Sequence, residues 1–377
     1  MFPISLVTSI TLTGILLYAG VICFVLIFVL NQRNGLNNYK VSELDFAFLI
    51  YIAAFFICTL VNSGFDAGLN SLFGKCQDYF VYFWVVSFFS KNPKQSGLIQ
   101  KAIFIAAFIT ILYGLFQFFH LDLLHRQGDL DRLSGFHKNS YTYAGQLIVF
   151  FFFLLNGFDK RKDKLIALLL PLLCMFCILN SSERAVIFGV IAGLILYFIL
   201  HRISLKDILL FFSILLLPVL VTVIFHRKVI KRIKKAVLPG ATSVPNIRFK
   251  LWGTALAIWK RHFLFGSGRF PTVSYQIGNT FSIKYLTHAH NVYFQILATD
   301  GLIGLIAFLN LFYTVIKVVS YNLKTNKYAY ALFSVLLAFF IEGIFEYFWG
   351  DSEVRYLLLY FIGYVVGNAL ELNTKKR

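Results

Sequence analysis

Charge is scarce in this chain. Only 14% of its 377 residues are Asp, Glu, Lys or Arg, where a soluble domain carries about 25%. That shortage excludes an ordinary soluble fold, whose helices need polar outer faces. Methionine is rarer still, at two residues against 44 Phe, so the apolar bulk comes largely from aromatic rings. The five cysteines (Cys23, Cys58, Cys76, Cys174 and Cys177) show neither zinc nor disulfide spacing. Four of them lie inside apolar runs, where cysteine serves as a small hydrophobe. There is no internal repeat and no low-complexity tract, which excludes a repeat array. No basic stretch followed by a cleavage site opens the sequence, so the first apolar run is expected to be a retained span.

What remains is hydrophobic residues at 59%, in runs near the length of about twenty residues that crosses a bilayer. The expected fold is an all-α polytopic membrane protein, a single integral domain over residues 1–377 with about eleven (ten to twelve) transmembrane helices. Spans are predicted at 4–30, 44–62, 78–90, 98–119, 141–157, 165–181, 184–200, 205–225, 292–318, 328–347 and 354–371. Alternate short loops hold Arg33 and Lys40; Lys91 and Lys94; Lys160 to Lys164; Arg202 and Lys206; Lys324 and Lys327; and Lys375 to Arg377. The positive-inside bias places that set in the cytoplasm. Segments 120–140, 180–184, 226–291 and 348–353 then face outward. The formal charge of +18 is read as loop charge that sets topology and meets anionic lipid. Its scatter over many short loops argues against a nucleic-acid partner.

The long outward segment 226–291 is expected to carry short amphipathic helices. Arg227, Lys228, Lys231, Arg232, Lys234 and Lys235 alternate with Val229, Ile230, Ile233, Val237 and Leu238, the pattern of a helix lying on a membrane surface. Lys231 and Arg232 are candidates for docking an anionic lipid-linked substrate; a plain lipid anchor is the simpler reading. Arg248 to Arg261 is amphipathic too, with Trp252 and Trp259 on one face. Gly266, Gly268 and Pro271 then break the helix, and a lone Gly-Ser-Gly is more simply a turn than a phosphate loop.

Several polar residues fall where outward loops meet apolar spans. His288-Ala289-His290-Asn291 is the densest group. Histidine as a residue type can take a proton from a hydroxyl near neutral pH, which makes His290 a candidate base. Asn291 caps the following helix or orients His290. His288 and His290 invite a metal reading, but no acidic or cysteine partner stands at metal-like spacing in the sequence, so no metal and no other cofactor is expected. Arg184 opens a span, and Arg248 begins the Trp-bearing helix. Each is read as a guanidinium for a phosphate or pyrophosphate, against the plainer readings of a snorkelling Arg, an Arg184–Glu183 pair, or a surface residue. Arg132 sits in a polar loop with Asp129 and Asp131. Glu342 and Glu346, one helical turn apart near the outer end of their span, are expected to face the interior, pair with an Arg or serve an acceptor sugar.

Together these blocks resemble the bacterial O-antigen ligase and polymerase superfamily. The resemblance rests on Ser182-Glu183-Arg184-Ala185, on Arg248-Phe249-Lys250-Leu251-Trp252 with Leu264-Phe265-Gly266-Ser267-Gly268, and on His288 to Gln295 with Asp300-Gly301-Leu302-Ile303-Gly304. Arg132 to Gly135 is a looser fourth block. The resemblance implies a GT-C-like fold in the bacterial inner membrane with its active site on the periplasmic side. It implies metal-independent, inverting transfer of a glycan from undecaprenyl pyrophosphate to a lipid A-core sugar, by a ligase, or to another repeat unit, by a polymerase. By residue, it puts the essential arginines on Arg184 and Arg248 and the essential histidine on His290. Two positions depart from the family's habit. Asp300 stands where many members carry Glu, and Glu183 stands where members often have a neutral residue, which weakens the positive field at Arg184. The ligase is the expected function, with the polymerase as alternative. A transporter of lipid-linked sugars is a third reading, disfavoured because the polar residues gather at one boundary and not at midplane.

Overall fold

The computed structural model describes residues 2–30, 41–91, 96–121, 132–156, 164–225, 244–276, 283–321, 323, 326 and 328–374. Thirteen α-helices run through them: α1 (Phe2–Thr8), α2 (Ile10–Leu30), α3 (Glu43–Ser63), α4 (Phe65–Lys91), α5 (Ser96–Phe118), α6 (Ser140–Leu155), α7 (Lys164–Ser181), α8 (Arg184–His201), α9 (Leu205–Phe225), α10 (Val244–Arg261), α11 (Val292–Ser320), α12 (Ala329–Glu342) and α13 (Ser352–Thr374). A two-stranded antiparallel hairpin, β1 (Val273–Gln276) and β2 (Ile283–Leu286), lies between α10 and α11. Among the described residues, five helices are long and apolar enough to cross a membrane: Glu43–Ser63, Gly97–Phe118, Arg184–His201, Leu205–Thr222 and Val292–Ser320. Shorter apolar helices lie at Thr11–Gly20, Ser140–Leu155, Leu168–Ser181 and Ala329–Glu342. The chain is a polytopic helical membrane protein.

The helices form where the apolar runs lie, but several boundaries move. The run 4–30 is broken at Ser9, which separates α1 from α2. Ser9 Oγ then accepts from Leu12 N at the start of α2. The short expected span 78–90 is the second half of the 27-residue α4, whose first turns contain polar residues that hid them from a hydropathy reading. The run 328–347 leaves its helix at Glu342 and turns. The segment 244–291 holds strands as well as a helix, a departure from the all-α expectation. Residues 226–243, including Lys231 and Arg232, lie outside the described residues.

Helices α8 and α12 pack closely because Gly189 and Gly193 present no side chain. An added Cβ would stand 2.5 Å from the Ala338 carbonyl oxygen at Gly189 and 2.7 Å from that of Ser334 at Gly193. This is the small-residue contact by which membrane helices gain dispersion energy without a hydrophobic driving force. A buried charge pair joins α4 to α13. Asp78 accepts from Arg355 Nε at 2.7 Å and from the Tyr51 hydroxyl at 3.2 Å, and Trp349 Nε1 donates to that hydroxyl at 3.0 Å. Burying either charge alone would be costly, and each finds its partner here.

Helix α11 is broken. Gly301 has φ 66° and ψ −162°, a backbone that side chains other than hydrogen oppose. The break strips helical partners from nearby peptide groups, and the segment 263–268 supplies replacements. Ser267 N donates to Ala298 O at 2.9 Å and Gly268 N to Thr299 O at 2.8 Å, while Leu302 N and Ile303 N donate to Phe263 O and Leu264 O at 3.0 and 3.2 Å. Gly266, at φ 67°, lies so close that an added Cβ would collide with the Thr299 and Asp300 backbone. The Gly-Ser-Gly segment is therefore a turn, as its sequence suggests, and its partner is a helix break inside a single apolar run.

Candidate active site

The start of α11 is clipped to the end of α12. Asn291 caps α11, its Oδ1 accepting from Phe294 N at 2.8 Å. Its Nδ2 donates to Ile344 O at 2.8 Å, and Val292 N donates to Gly343 O at 2.8 Å. Gln295 Oε1 accepts from Ala289 N at 2.8 Å, which folds the histidine segment back over the helix start. His290 itself takes a left-handed backbone, φ 48°, which is uncommon outside glycine. These contacts set the His290 ring against the turn after α12.

There the His290 Nδ1 lies 2.8 Å from Glu346 Oε2. Arg248 NH2, from the first turns of α10, donates to Glu346 Oε1 at 3.2 Å. A histidine and an arginine from two separate elements thus converge on the carboxylate of a third. An ionised carboxylate only accepts, so Nδ1 carries the hydrogen and a neutral His290 keeps Nε2 as an acceptor. Burial pushes the Glu346 carboxyl up, but the hydrogen bond from His290 and the Arg248 guanidinium beside it hold it below the usual range. The His288 and His290 rings lie 4.1 Å apart. Burial first, and then its neighbour His290, pushes His288 down to about 4, so His288 is neutral at pH 7. Glu342 is buried, and its Oε2 has no hydrogen-bond partner among the described residues.

A second pair stands at the same end of the helices. Arg132 NH1 donates to Glu183 Oε1 at 3.1 Å, and Ser140 Oγ donates to the same oxygen at 2.6 Å. The Arg132 loop is pinned by Gln117, whose Oε1 accepts from Ser134 N and Gly135 N at 3.1 and 2.8 Å. Burial raises Glu183, and Ser140 and Arg132 oppose that rise. The fields of Glu346 and Arg248 also reach Glu183, so the two pairs are electrostatic neighbours.

Of the residues singled out from sequence, the structure brings His290, His288, Asn291, Arg248 and Glu346 together, with Glu342 one turn before Glu346. Arg132 joins Glu183 beside them; Asp129 and Asp131, the partners its own loop offers, lie outside the described residues. Arg184 is exposed at the first position of α8 and makes no hydrogen bond or ion pair with another described residue. The plainer alternative of an Arg184–Glu183 pair is not seen: the Glu183 carboxylate accepts from Arg132 and Ser140 instead. The roles of Glu183 as a partner for Arg132, of Ser140 and of Gln295 were not legible in the sequence, since each acts across a gap no motif spans.

No acidic partner stands near the histidines in sequence, but the fold brings one to them. Glu346 supplies one: ligand-capable atoms of His288, His290 and Glu346 all lie within 4.8 Å of one another. It stands 56 residues beyond His290, so local spacing concealed it.

Residues 166–309 match the family of O-antigen ligases. The match supports the O-antigen ligase and polymerase superfamily. It spans Arg184, Arg248, the histidine segment and the α11 break; Arg132, Glu342 and Glu346 fall outside it. No curated protein sequence matches the chain. The match supports a ligase- or polymerase-type function with lipid-linked glycan and acceptor substrates, and a membrane glycosyltransferase-like enzyme.

Proposed function

We propose that the protein is an O-antigen ligase, transferring a glycan from undecaprenyl pyrophosphate to a sugar hydroxyl of lipid A-core at the periplasmic face of the inner membrane. The observation that carries this reading is the convergence of His290 and Arg248 on Glu346 at the membrane boundary. The acceptor hydroxyl attacks the anomeric carbon and gives its proton to His290 Nε2, while Glu346 holds the Nδ1 hydrogen. The bond from that carbon to the pyrophosphate breaks on the opposite face, which inverts the centre. Negative charge then builds on the leaving oxygens. Arg248 and the exposed Arg184 stabilise it, each worth about 2.7–4 kcal/mol by analogy with other oxyanion donors. Arg132 and His288 line the approach of the glycan, Asn291 fixes the helix start, and Lys231 and Arg232 meet the anionic lipid surface.

The same groups that could hold a cation are already engaged. A metal between His288, His290 and Glu346 would lie beside the Arg248 guanidinium and compete with it for the carboxylate, so metal-independent transfer is the reading adopted. Eleven spans and a GT-C-like arrangement belong to the same proposal. The positive-inside bias supports placing this end of the helices outside.

Purified protein given a synthetic lipid-linked donor and a core acceptor tests the proposal. Transfer by the wild type, lost in His290→Ala and Arg248→Ala with the proteins correctly inserted, is expected. Full activity in His290→Ala removes the general base. Movement of the lipid-linked sugar without bond exchange makes the protein a transporter instead. A deletion strain separates the two enzymes. Long lipid-linked polymer with bare core marks a ligase, and core bearing one repeat marks a polymerase.

A further inference from the structure

A cavity of about 260 Å³ lies at the start of α6, lined by Thr8, Ser9, Phe136, His137, Lys138, Asn139, Thr142 and Glu353. The geometry points to a carbohydrate subsite here, one that holds a single non-reacting sugar ring of the glycan. This rests on the glycosyl-transfer reading above and names a place for substrate outside the catalytic cluster.

The argument is one of chemistry and position. The lining mixes acceptors and donors. Thr142 Oγ1 donates to Asp351 Oδ2 at 2.6 Å and Thr8 Oγ1 to Ile4 O at 2.9 Å, so both hydroxyl oxygens keep lone pairs to offer. Ser9 Oγ accepts from Leu12 N, which leaves its hydrogen to give. Asn139 precedes α6 without a side-chain cap bond, and its Nδ2 donates to the Tyr141 hydroxyl at 3.2 Å, so its oxygen is available. Glu353 adds carboxylate acceptors. His137 is held by Gln146: Gln146 Nε2 donates to Leu6 O, so its Oε1 receives the His137 Nε2 hydrogen at 3.0 Å. Phe136 stacks on Tyr113, centroids 4.1 Å apart, which fixes an aromatic ring in the wall.

Sugar hydroxyls both donate and accept, and such a mixed wall with one fixed ring suits them. A phosphate would call for more than the single lysine present, and a lipid chain would call for an apolar lining. The volume is below the roughly 300–1,000 Å³ of drug-sized sites, which limits the occupant to about one ring. Position agrees. One wall is the first turn of α6, where Ser140 reaches Glu183 and Thr142 reaches Asp351. Asp351 is five residues beyond Glu346 in the chain. Through Thr142 and Asp351 the cavity wall is tied to the segment that follows Glu346.

The test uses the full chain in detergent and free monosaccharides as probes: glucose, galactose, N-acetylglucosamine and rhamnose, read by saturation-transfer NMR. At least one should bind the wild type. Asn139→Ala and Glu353→Gln should weaken it roughly tenfold, the cost of one hydrogen bond to such a group, and His290→Ala should leave it unchanged. Asn139 makes no helix-capping bond, and Lys138→Ala, at an exposed lining position, gives a further variant that leaves the core packing untouched. In the transfer assay, a rise in KM for the lipid-linked donor assigns the ring to the donor glycan, and a rise for the core sugar assigns it to the acceptor. Absence of binding by every probe, or equal binding by the cavity variants, overturns the subsite. Cavity-dependent binding by a wild type that transfers nothing would instead sink the glycosyl-transfer reading and leave the subsite standing.

Discussion

Glu346 Oε2 stands 2.8 Å from His290 Nδ1, and this contact fixes which nitrogen of the imidazole faces a substrate. Glu346→Gln keeps the size but offers an amide that donates as well as accepts, so His290 is free to take the wrong tautomer. It also releases Arg248. The turnover number for glycan transfer should fall on the order of 100-fold or more, the usual scale of general-base assistance. KM for the lipid-linked donor should stay level or drop, since a released Arg248 is better able to meet phosphate. Steady-state kinetics on the purified variant separate this from misfolding, which would remove active protein and leave KM and the pH profile of the remainder unchanged.

Asp351 gives a pH-dependence of stability. Burial, with the charge of Glu353, pushes its carboxyl up to about 7. A carboxyl raised on folding stabilises fully below its unfolded value of about 3.9. That contribution is lost as pH rises through the folded value. Wild-type melting temperature should therefore decline between about pH 4 and pH 7, while Asp351→Asn, which keeps an acceptor for Thr142, should show a flatter profile. The gap at the alkaline end should be on the order of a few degrees. Melting scans in detergent at several pH values check it, and parallel profiles would remove Asp351 from the account.

Much of the fold was legible because lipid demands long apolar runs, and such runs announce themselves. The polar ends of those runs marked His290, Arg248 and Asn291. Glu346 was visible as a carboxylate near a helix end, but its pairing with His290 was not, because the join depends on Asn291 and Val292 bonding to Ile344 and Gly343. Arg184 shows the opposite limit. Its place in a familiar block was clear, yet the block does not reveal that Glu183 turns toward Arg132 and leaves Arg184 exposed. The break at Gly301 was hidden for a further reason: one glycine in an apolar run reads as a helix unless its distant partner segment at 263–268 is known to be waiting.

The cation question has a direct readout. His288, His290 and Glu346 are close enough to share an ion, but Arg248 already occupies the carboxylate at 3.2 Å. Transfer should persist in EDTA, and elemental analysis of active protein should find less than one divalent ion per chain. Activity lost to the chelator and restored by zinc or magnesium would place an ion among these three side chains and displace Arg248 from its assigned partner.

The α11 break and the turn at 263–268 should behave as one unit. Gly301→Ala forces a side chain into a backbone region that costs about 1–3 kcal/mol, and its Cβ would strike Leu264 O. Gly266→Ala makes the reciprocal collision with Thr299 and Asp300. Either substitution must push the turn out of the break and leave the peptide groups of Ala298, Thr299, Leu302 and Ile303 without partners. Once one has done so, the second has little left to disrupt. The two losses in stability should be clearly less than additive, with a coupling of about 0.5–3 kcal/mol. Because the turn follows α10, which carries Arg248, and the break follows His290, each single variant should also lose transfer activity. Strict additivity in melting or denaturant experiments would show that the two glycines act separately and that the turn does not hold the helix break.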